Sequence, residues 1–213
     1  MPGLGILGGT FDPPHLGHLI LAQEALFQLK LERILWVLTP NPPHKTNRRI
    51  SDTSDRLAML EAALEDEPRF EISTVDLDRK PPHYAADTMH ILRQQHPNDR
   101  LFYLMGGDEL VDLPTWHAPK AFLAACDGIG AVHRPGWSLD LERLEKAIPG
   151  VGKKISFLKA PLIEISSTDL RKRIAARQPY RYFLPKAVYL IIDERSLYLK
   201  ENSGQSSTRH NTG

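Results

Sequence analysis

Short apolar runs alternate along the chain with longer segments in which apolar residues recur every three or four positions. The short runs, bounded by glycine, proline or polar residues, predict strands, and the longer periodic segments predict helices. The predicted strands are Leu4–Leu7, Ile34–Leu38, Phe70–Ser73, Leu101–Met105, Ile129–His133 and Ile155–Leu158. The predicted helices are Leu16–Leu29, Ser54–Leu64, Ala86–Gln95, Ala121–Ala125, Leu139–Ala147, Ser167–Ala175 and Lys186–Asp193.

This alternation predicts an α/β fold, with a Rossmann-like, mostly parallel sheet and helices on both faces. The runs Ile34–Leu38 and Leu101–Met105 are continuously apolar, as in strands that are covered on both sides. No repeat and no strong linker interrupts the pattern. We therefore expect a single domain over residues 1–200, with a small C-terminal helical part from about residue 166. Residues 201–213 are rich in Ser, Thr, Gly and Asn, and predict a flexible tail.

In folds of this kind, ligands bind beyond the carboxyl ends of the strands. Four polar segments marked by glycine or proline follow predicted strands or lie near them. They are Gly8–His15, Thr39–Thr46, Gly106–Asp108 and the region around Glu164–Thr168. We expect these segments to meet at one edge of the sheet.

Composition narrows the class of protein. The 213 residues are 41% hydrophobic and 25% charged, with a formal net charge of +1, so bulk charge does not favour nucleic acid or a membrane as partner. Cys126 is the single cysteine, which excludes an intramolecular disulfide, fits a reducing cytoplasm and predicts a core residue. We expect neither an N-terminal targeting signal nor a membrane-spanning segment.

The run from Gly8 to His18, Gly-Gly-Thr-Phe-Asp-Pro-Pro-His-Leu-Gly-His, lies between the first predicted strand and the first predicted helix. A glycine turn at this place can hold a phosphate chain against backbone amides at a helix N-terminus. His15 and His18 are three residues apart, which places both imidazoles on one face of the first helical turn. Gly17 has no side chain, so a ligand can approach the helix closely. The run therefore predicts a phosphate site.

Two other interpretations of this run stay open at this point. Glycines after a strand serve many strand-to-helix turns that bind nothing. Two histidines at this spacing can also ligate zinc, although no third cysteine or histidine ligand stands out in the sequence. Packing explains a histidine pair in the first turn of a helix poorly, and we therefore favour donors to an anionic phosphate group.

A second polar run, Ile165-Ser-Ser-Thr-Asp-Leu-Arg171, opens the predicted helix Ser167–Ala175. Ser166 and Ser167 stand where the helix starts, and Arg171 follows one turn later. Hydroxyls, backbone amides and a guanidinium can thus converge on one anion. An ordinary capped helix with exposed basic residues explains the same pattern equally well, since two more basic residues follow.

Two further segments offer ligand contacts, each with a structural alternative. Pro42–Lys45 is a basic loop that can reach a substrate phosphate or simply be solvated. Trp116, in Leu113-Pro-Thr-Trp-His117, can stack on an aromatic ring or pack in the core. Asp108, in Gly106-Gly-Asp108, can accept hydrogen bonds from ribose hydroxyls or cap a helix.

Together and in this order, these stretches resemble the bacterial nicotinate-mononucleotide adenylyltransferases. Gly8–His18 is similar to the signature of the wider nucleotidyltransferase superfamily with its His-x-Gly-His motif, and Ile165–Arg171 is similar to its second phosphate-binding motif. The marks of the particular family are Pro42–Lys45, Asp87–Thr88, Pro114–His117 and His133–Gly136. The resemblance extends from about Gly5 to Asp193.

The resemblance implies adenylyl transfer from ATP to nicotinate mononucleotide, giving deamido-NAD (nicotinate adenine dinucleotide) and pyrophosphate in NAD biosynthesis. We expect an in-line attack without a covalent enzyme intermediate, and Mg²⁺ bound with the ATP phosphates with few or no protein ligands. The implied partners are these small molecules, and neither nucleic acid nor a membrane is expected. The implied location is the cytoplasm, and a homo-oligomer is compatible with the resemblance.

The resemblance also implies roles for individual residues. The implied catalytic residues are His15, His18 and Arg171. The implied ATP contacts are Gly8, Gly9, Thr10, Phe11, His15, Gly17, His18, Gly106, Asp108, Ile165, Ser166, Ser167, Thr168 and Arg171. The implied nicotinate mononucleotide contacts are His44, Lys45, Tyr84, Ala85, Ala86, Thr88, Trp116, His117 and Arg134.

One departure from the family pattern concerns the acceptor end. Family members commonly carry Ser-Tyr-Thr before the Asp-Thr pair, whereas this chain has His83, Tyr84 and Ala85 followed by Ala86. If the backbone amide of residue 85 holds the ring carboxylate, the missing hydroxyl has no effect. If the hydroxyl contributes, discrimination between the acid and the amide weakens. The sequence leaves both open.

Two rival functions also stay open. Other transferases of the superfamily, such as those acting on phosphopantetheine, share the histidine motif and a similar Ser-Ser-x-x-x-Arg run. Trp116 and the Pro42–Lys45 loop favour a pyridine nucleotide over that acceptor. A non-catalytic sensor of ATP or NAD would not need both histidines together with Arg171.

Overall fold

The computed structural model describes residues 1–42, 50–132, 139–161 and 164–199. Six strands lie in these ranges: β1 (Gly3–Gly9), β2 (Arg33–Leu38), β3 (Phe70–Ser73), β4 (Arg100–Gly106), β5 (Gly128–Val132) and β6 (Ile155–Leu158). The α-helices are α1 (Leu16–Gln28), α2 (Thr53–Leu64), α3 (Ala85–Gln95), α4 (Gly107–Asp112), α5 (Pro119–Ala125), α6 (Leu141–Ala147), α7 (Ser167–Ala175) and α8 (Lys186–Glu194). Two 3₁₀ turns, Leu113–Thr115 and Arg181–Phe183, precede α5 and α8.

The six strands form one parallel sheet in the order β3-β2-β1-β4-β5-β6. From β1 the chain builds outward through β2 and β3, and then returns to the other side of β1 with β4. Such a reversal of strand order opens a crevice at the carboxyl ends of the two central strands. The Rossmann-like parallel sheet predicted from the alternation is confirmed.

Successive residues of the central strands pack into different cores. Tyr103 and Met105 of β4 pack in a core with α3 and α5, whereas Phe102 and Leu104 pack in a second core with α1 and α2. Both faces of the sheet are therefore covered by helices, which is why the central strands are apolar without alternation.

The C-terminal helices form a third core together with α2. Met59 of α2 packs with Leu170 and Ile174 of α7 and with Val188 and Ile192 of α8. This is the small C-terminal helical part that the sequence predicted. Its packing holds the N-terminal turn of α7 beside the carboxyl edge of the sheet.

One helix was not predicted from the sequence, and the starts of two others differ from the prediction by two residues. Gly106–Asp108 was predicted only as a polar segment, but α4 begins there directly after β4, where Oε2 of Glu109 accepts a hydrogen bond from the Gly106 N–H at 2.9 Å. Six residues are too few for a helical period to be recognised. Helix α5 begins at Pro119, a residue suited to a first helical turn, and α6 begins after Asp140, whose carboxylate caps it.

Cys126 follows α5 and is buried, with its Sγ donating to the carbonyl of Phe122 at 3.2 Å. Burial raises the pKa of this thiol to about 12, so the prediction of a core cysteine is confirmed. Among the described residues, the longest and most apolar helices still fall short of what a membrane crossing requires. The predicted tail at 201–213 and the predicted strand end at His133 lie outside the described residues.

Candidate active site

A cleft of about 910 Å³ opens at the carboxyl ends of the central strands. Residues from all four polar segments that the sequence placed at this edge line it, together with the start of α1 and the start of α7. The structure thus brings the two predicted phosphate-binding runs, which come from opposite ends of the chain, into one cleft.

His15 and His18 form a stacked pair at the start of α1. His15 is the N-cap residue, and the ring centroids lie 3.7 Å apart with 24° between the planes. The backbone N–H of His15 donates to Nδ1 of His18 at 3.2 Å. Because this nitrogen accepts a hydrogen bond, a neutral His18 carries its proton on Nε2. That tautomer can donate to a phosphate oxygen.

Two glycines of the first run make room for aromatic rings. A Cβ at Gly17 would lie 3.1 Å from two atoms of the His15 ring, and a Cβ at Gly9 would lie 2.8 Å from the Phe11 ring. Phe11 has a φ of 47°, is 2% exposed and meets the His18 ring edge-on at a centroid distance of 5.2 Å. Phe11 therefore supports His18 from the core, and it also lines the cleft.

The second run is joined to the first by hydrogen bonds. Ser166 caps α7, with its Oγ accepting from a backbone N–H one turn into the helix at 3.1 Å. Ser167 Oγ donates to the carbonyl of Pro13 at 2.9 Å, and Nη1 of Arg171 donates to the carbonyl of Asp12 at 2.6 Å. Ser166 thus acts as the helix cap that the structural alternative predicted. Ser167 and Arg171 instead hydrogen-bond to backbone carbonyls of the run that bears the two histidines.

Asp12, which the sequence analysis did not single out, is only 2% exposed. Its Oδ1 accepts a hydrogen bond from the Tyr198 hydroxyl at 2.8 Å, and its Oδ2 accepts one from the Ser51 N–H at 3.4 Å. A buried carboxylate needs such donors, because burial without them is costly. The aspartate thereby links the cleft to the start of α2 and to the segment after α8.

Arg56 of α2 is a second buried charge that the sequence analysis missed. It is 1% exposed, and its guanidinium donates to the carbonyls of Thr10 at 3.0 Å and Thr39 at 2.9 Å. It also donates to the carbonyls of Pro40 and Ser51. Burial lowers the pKa of Arg56, and the nearby carboxylate of the first run opposes that change. Arg56 therefore ties together the loops that follow β1 and β2. An arginine on the inward face of a predicted helix was the available signal.

Aromatic rings also form part of the cleft wall. Tyr84 and His117 are stacked, with ring centroids 4.0 Å apart and 21° between the planes. Trp116 lines the cleft beside them and also meets Tyr103 and Phe122 edge-on, at 6.0 and 5.4 Å. The two alternatives for Trp116, a core aromatic and a stacking platform, are both compatible with this position.

Helix α3 begins at Ala85, with a backbone hydrogen bond from Thr88 N to Tyr84 O at 3.1 Å. A helix leaves the amides of its first residues without an intrahelical acceptor. Ala85 lines the cleft, whereas Ala86 is buried in the core and its side chain is not part of the cleft lining. Thr88 lines the cleft, but its hydroxyl donates to Oδ1 of Asp76 at 2.7 Å. This turn therefore presents backbone rather than hydroxyl groups.

An ion pair between a buried aspartate and a partly buried arginine supports the same turn. Nε of Arg79 lies 3.0 Å from Oδ1 of Asp76, and the guanidinium also donates to the carbonyls of Pro82 at 2.7 Å and Tyr84 at 3.3 Å. His83 is buried, with Nε2 at 3.2 Å from the carbonyl of Arg79. Asp76 and Arg79 were not predicted, because they lie in a connection between a strand and a helix, where charged residues show no periodic pattern.

Asp108 is the second residue of α4 and is exposed at the cleft, so the alternative that it caps a helix is wrong. The N-cap is Gly106. A Cβ at Gly106 would lie 2.5 Å from Oδ1 of Asp108. Any larger residue at position 106 would therefore clash with this carboxylate in its present position.

Most of the predicted site residues line this one cleft. From the predicted ATP contacts they are Gly8, Gly9, Thr10, Phe11, His15, Gly17, His18, Gly106, Asp108, Ile165, Ser166, Ser167, Thr168 and Arg171, and from the predicted nicotinate mononucleotide contacts they are Tyr84, Ala85, Thr88, Trp116 and His117. His44, Lys45 and Arg134 lie outside the described residues. In the described part of the chain, no three His, Cys, Asp or Glu side chains cluster so as to hold a metal ion, and the zinc interpretation of the histidine pair finds no ligand set there.

The chain is similar to members of one family over nearly its full length. The cytidylyltransferase-like family model matches residues 6–173. The chain is 41% identical to a probable nicotinate-nucleotide adenylyltransferase of Thermomicrobium roseum, covering 93% of this chain and 92% of the relative. It is 37% identical to the nicotinate-nucleotide adenylyltransferase of Bacillus subtilis, covering 93% and 99%.

Solved structures share the fold at lower sequence identity. The nicotinic acid mononucleotide adenylyltransferase of Plasmodium falciparum complexed with NaAD matches with a TM-score of 0.76 and 17% identity, covering 93% of this chain and 98% of that one. The same enzyme complexed with APC matches with a TM-score of 0.74 and 18% identity, at the same coverage.

Proposed function

This chain belongs to the cytidylyltransferase-like family and, within it, to the nicotinate-nucleotide adenylyltransferases, and on that premise we propose that it transfers the adenylyl group of ATP to nicotinate mononucleotide. The products are deamido-NAD and pyrophosphate, in NAD biosynthesis. The observation that carries the proposal is the joining of Arg171 and Ser167 to the run that bears His15 and His18, in a cleft that aromatic rings also line.

In the proposed reaction, a phosphate oxygen of nicotinate mononucleotide attacks the α-phosphorus of ATP. The bond between that phosphorus and the α,β-bridging oxygen breaks, and pyrophosphate leaves with the electron pair. The attacking oxygen is already anionic, so no protein nucleophile and no strong general base are needed. Catalysis then depends on alignment of the two substrates and on stabilisation of charge at the phosphates.

We assign the α-phosphate to His18, and the phosphate chain to His15, Arg171 and the N-terminal turn of α7. The tautomer that the His15 N–H imposes on His18 supports this, since it leaves Nε2–H as a donor. The adenosine lies by this assignment against the glycines at the ends of β1 and β4, with Asp108 accepting from the ribose hydroxyls. The exposure of Asp108 at the cleft supports that role.

We assign the pyridine ring to the aromatic wall of Tyr84, Trp116 and His117. The ring carboxylate would be held by backbone amides around Ala85 and His117. The engagement of the Thr88 hydroxyl by Asp76 supports recognition by amides over recognition by hydroxyls at this turn.

We propose that Mg²⁺ enters with ATP. Mg²⁺ keeps several water ligands and is commonly held by substrate phosphates with few protein ligands. The side chains present fit this mode. The buried Asp12 carboxylate already accepts hydrogen bonds from the Tyr198 hydroxyl and the Ser51 N–H. The described residues contain no cluster of three metal ligands. The ion would neutralise charge on the departing pyrophosphate.

Release of pyrophosphate from ATP, measured with a panel of acceptors, tests the proposal. We expect release with nicotinate mononucleotide and formation of deamido-NAD. Release with phosphopantetheine alone would assign the chain to another branch of the superfamily, and no release with any acceptor would support a nucleotide sensor. Rates with nicotinate and nicotinamide mononucleotides then measure how strongly the carboxylate is read.

The assignment of His18 is tested by His18→Ala. Loss of a preorganised donor to the reacting phosphate lowers kcat by about 10²–10³. The matched control is His90→Ala, because His90 is exposed on α3 and is not among the residues that line the cleft. Near-normal turnover of a folded His18→Ala protein would refute the assignment.

A further inference from the structure

The segment that follows α8 returns to the phosphate end of the cleft. Tyr198 has a φ of 65°, and its hydroxyl lies 2.8 Å from Oδ1 of Asp12, 186 positions earlier in the chain. The same hydroxyl lies 3.8 Å from Sδ of Met59. Burial and the adjacent Asp12 carboxylate raise the pKa of Tyr198, so the phenol keeps its proton and donates to the carboxylate.

The Asp12 carboxylate lies near two cations. Nη1 of Arg171 is 3.9 Å from Oδ2 of Asp12, while it donates to the Asp12 carbonyl at 2.6 Å. The buried Arg56 guanidinium also interacts electrostatically with the Asp12 carboxylate. The Tyr198 hydroxyl is the nearer of the two described donors to this carboxylate, since the Ser51 N–H is 3.4 Å away.

We propose that Tyr198 is a positioning residue of the nucleotide phosphate site, which keeps the Asp12 carboxylate from closing on Arg171. Without the phenol, the buried carboxylate loses its nearer donor, and the guanidinium at 3.9 Å is the cation in reach. The long ion pair that the two side chains already form would then shorten and hold Arg171 away from an incoming anion. This inference rests on the proposed function in one respect, namely that the anion is the phosphate chain of ATP.

Tyr198→Phe removes the hydroxyl and keeps the ring that packs beside Met59. We expect the Kd for ATP, measured by calorimetric titration of the full chain, to rise about tenfold, at the lower end of what loss of a hydrogen bond to a charged group produces. We expect kcat/KM for ATP to fall by a similar factor, while KM for nicotinate mononucleotide stays within twofold. A residue that only stabilised the fold would not separate the two substrates in this way.

Two control variants separate an effect on the Asp12 carboxylate from a general loosening of the segment after α8. Arg195→Ala breaks the 2.7 Å ion pair to Asp55, which attaches the same segment to α2 without contact to Asp12. Tyr182→Phe removes a phenol from a residue that is 85% exposed. We expect both controls to bind ATP as the wild type does. An unchanged Kd in Tyr198→Phe, or an equal loss in Arg195→Ala, would overturn the inference.

The ATP titration tests the role of Tyr198 separately from the proposed adenylyl transfer, because ATP binding is measured without nicotinate mononucleotide. A wild-type protein that binds ATP but forms no dinucleotide would refute the proposed function, and the Tyr198→Phe titration would still decide the role of Tyr198. A wild-type protein that does not bind ATP would refute both.

Discussion

Gly8→Ala places a methyl group directly against one buried hydroxyl. A Cβ at position 8 would lie 2.8 Å from the Tyr103 oxygen, whereas the next ring atoms are 3.6 and 3.8 Å away, at ordinary contact distance. Gly8 lies in β1 without a positive φ, so alanine fits the backbone there. The Tyr103 hydroxyl is therefore the single obstacle to the substitution.

The Tyr103 side chain is poorly able to move away. It is 8% exposed and meets Phe122 and Trp116 edge-on, at centroid distances of 5.0 and 6.0 Å. The methyl group and the oxygen must separate by roughly half an ångström to reach normal contact. Forcing such a shift in a packed core costs about 1–3 kcal/mol. That is a substantial part of a domain stability of about 5–15 kcal/mol.

Urea denaturation of the wild type, Gly8→Ala, Tyr103→Phe and the double variant measures this cost. We expect Gly8→Ala to lose about 1–3 kcal/mol of unfolding free energy. Because Tyr103→Phe removes the obstructing oxygen, the double variant should recover at least half of that loss, a non-additivity typical of residues in contact. Additive losses in the double variant, or a Gly8→Ala protein as stable as the wild type, would refute the reasoning.

Two further predictions concern buried groups. Arg56→Met should lower the unfolding free energy by at least about 3 kcal/mol in urea denaturation, because four partly buried carbonyls lose their donor and an unsatisfied acceptor costs about 1–3 kcal/mol when buried. A loss below about 1 kcal/mol would contradict the role assigned to Arg56. Since burial raises the pKa of the Cys126 thiol to about 12, folded protein at pH 8 should react with a thiol reagent at least about 100-fold more slowly than protein in urea. Rapid labelling of the folded chain would be inconsistent with that burial.

The fold and the two polar runs that line the cleft were predictable because their signals are local. Continuous apolar runs predict buried parallel strands, and the alternation with helices predicts the sheet. Gly8–His18 and Ile165–Arg171 each concentrate their chemistry within a few residues, so the motif is visible without the fold. Helix α4 escaped prediction because six residues carry too little of a helical period.

The amino-acid sequence alone determined the type of fold, the family resemblance and the two polar runs that line the cleft. Only the tertiary structure decided which side chains hold those runs in place: Arg56 across the loops after β1 and β2, and Tyr198 on Asp12. It also decided that Trp116 both packs on Tyr103 and lines the cleft. The physical reason is distance along the chain. A buried charge is tolerated where its partners fold around it, and partners as far apart as Tyr198 and Asp12 leave no pattern in the sequence near either residue.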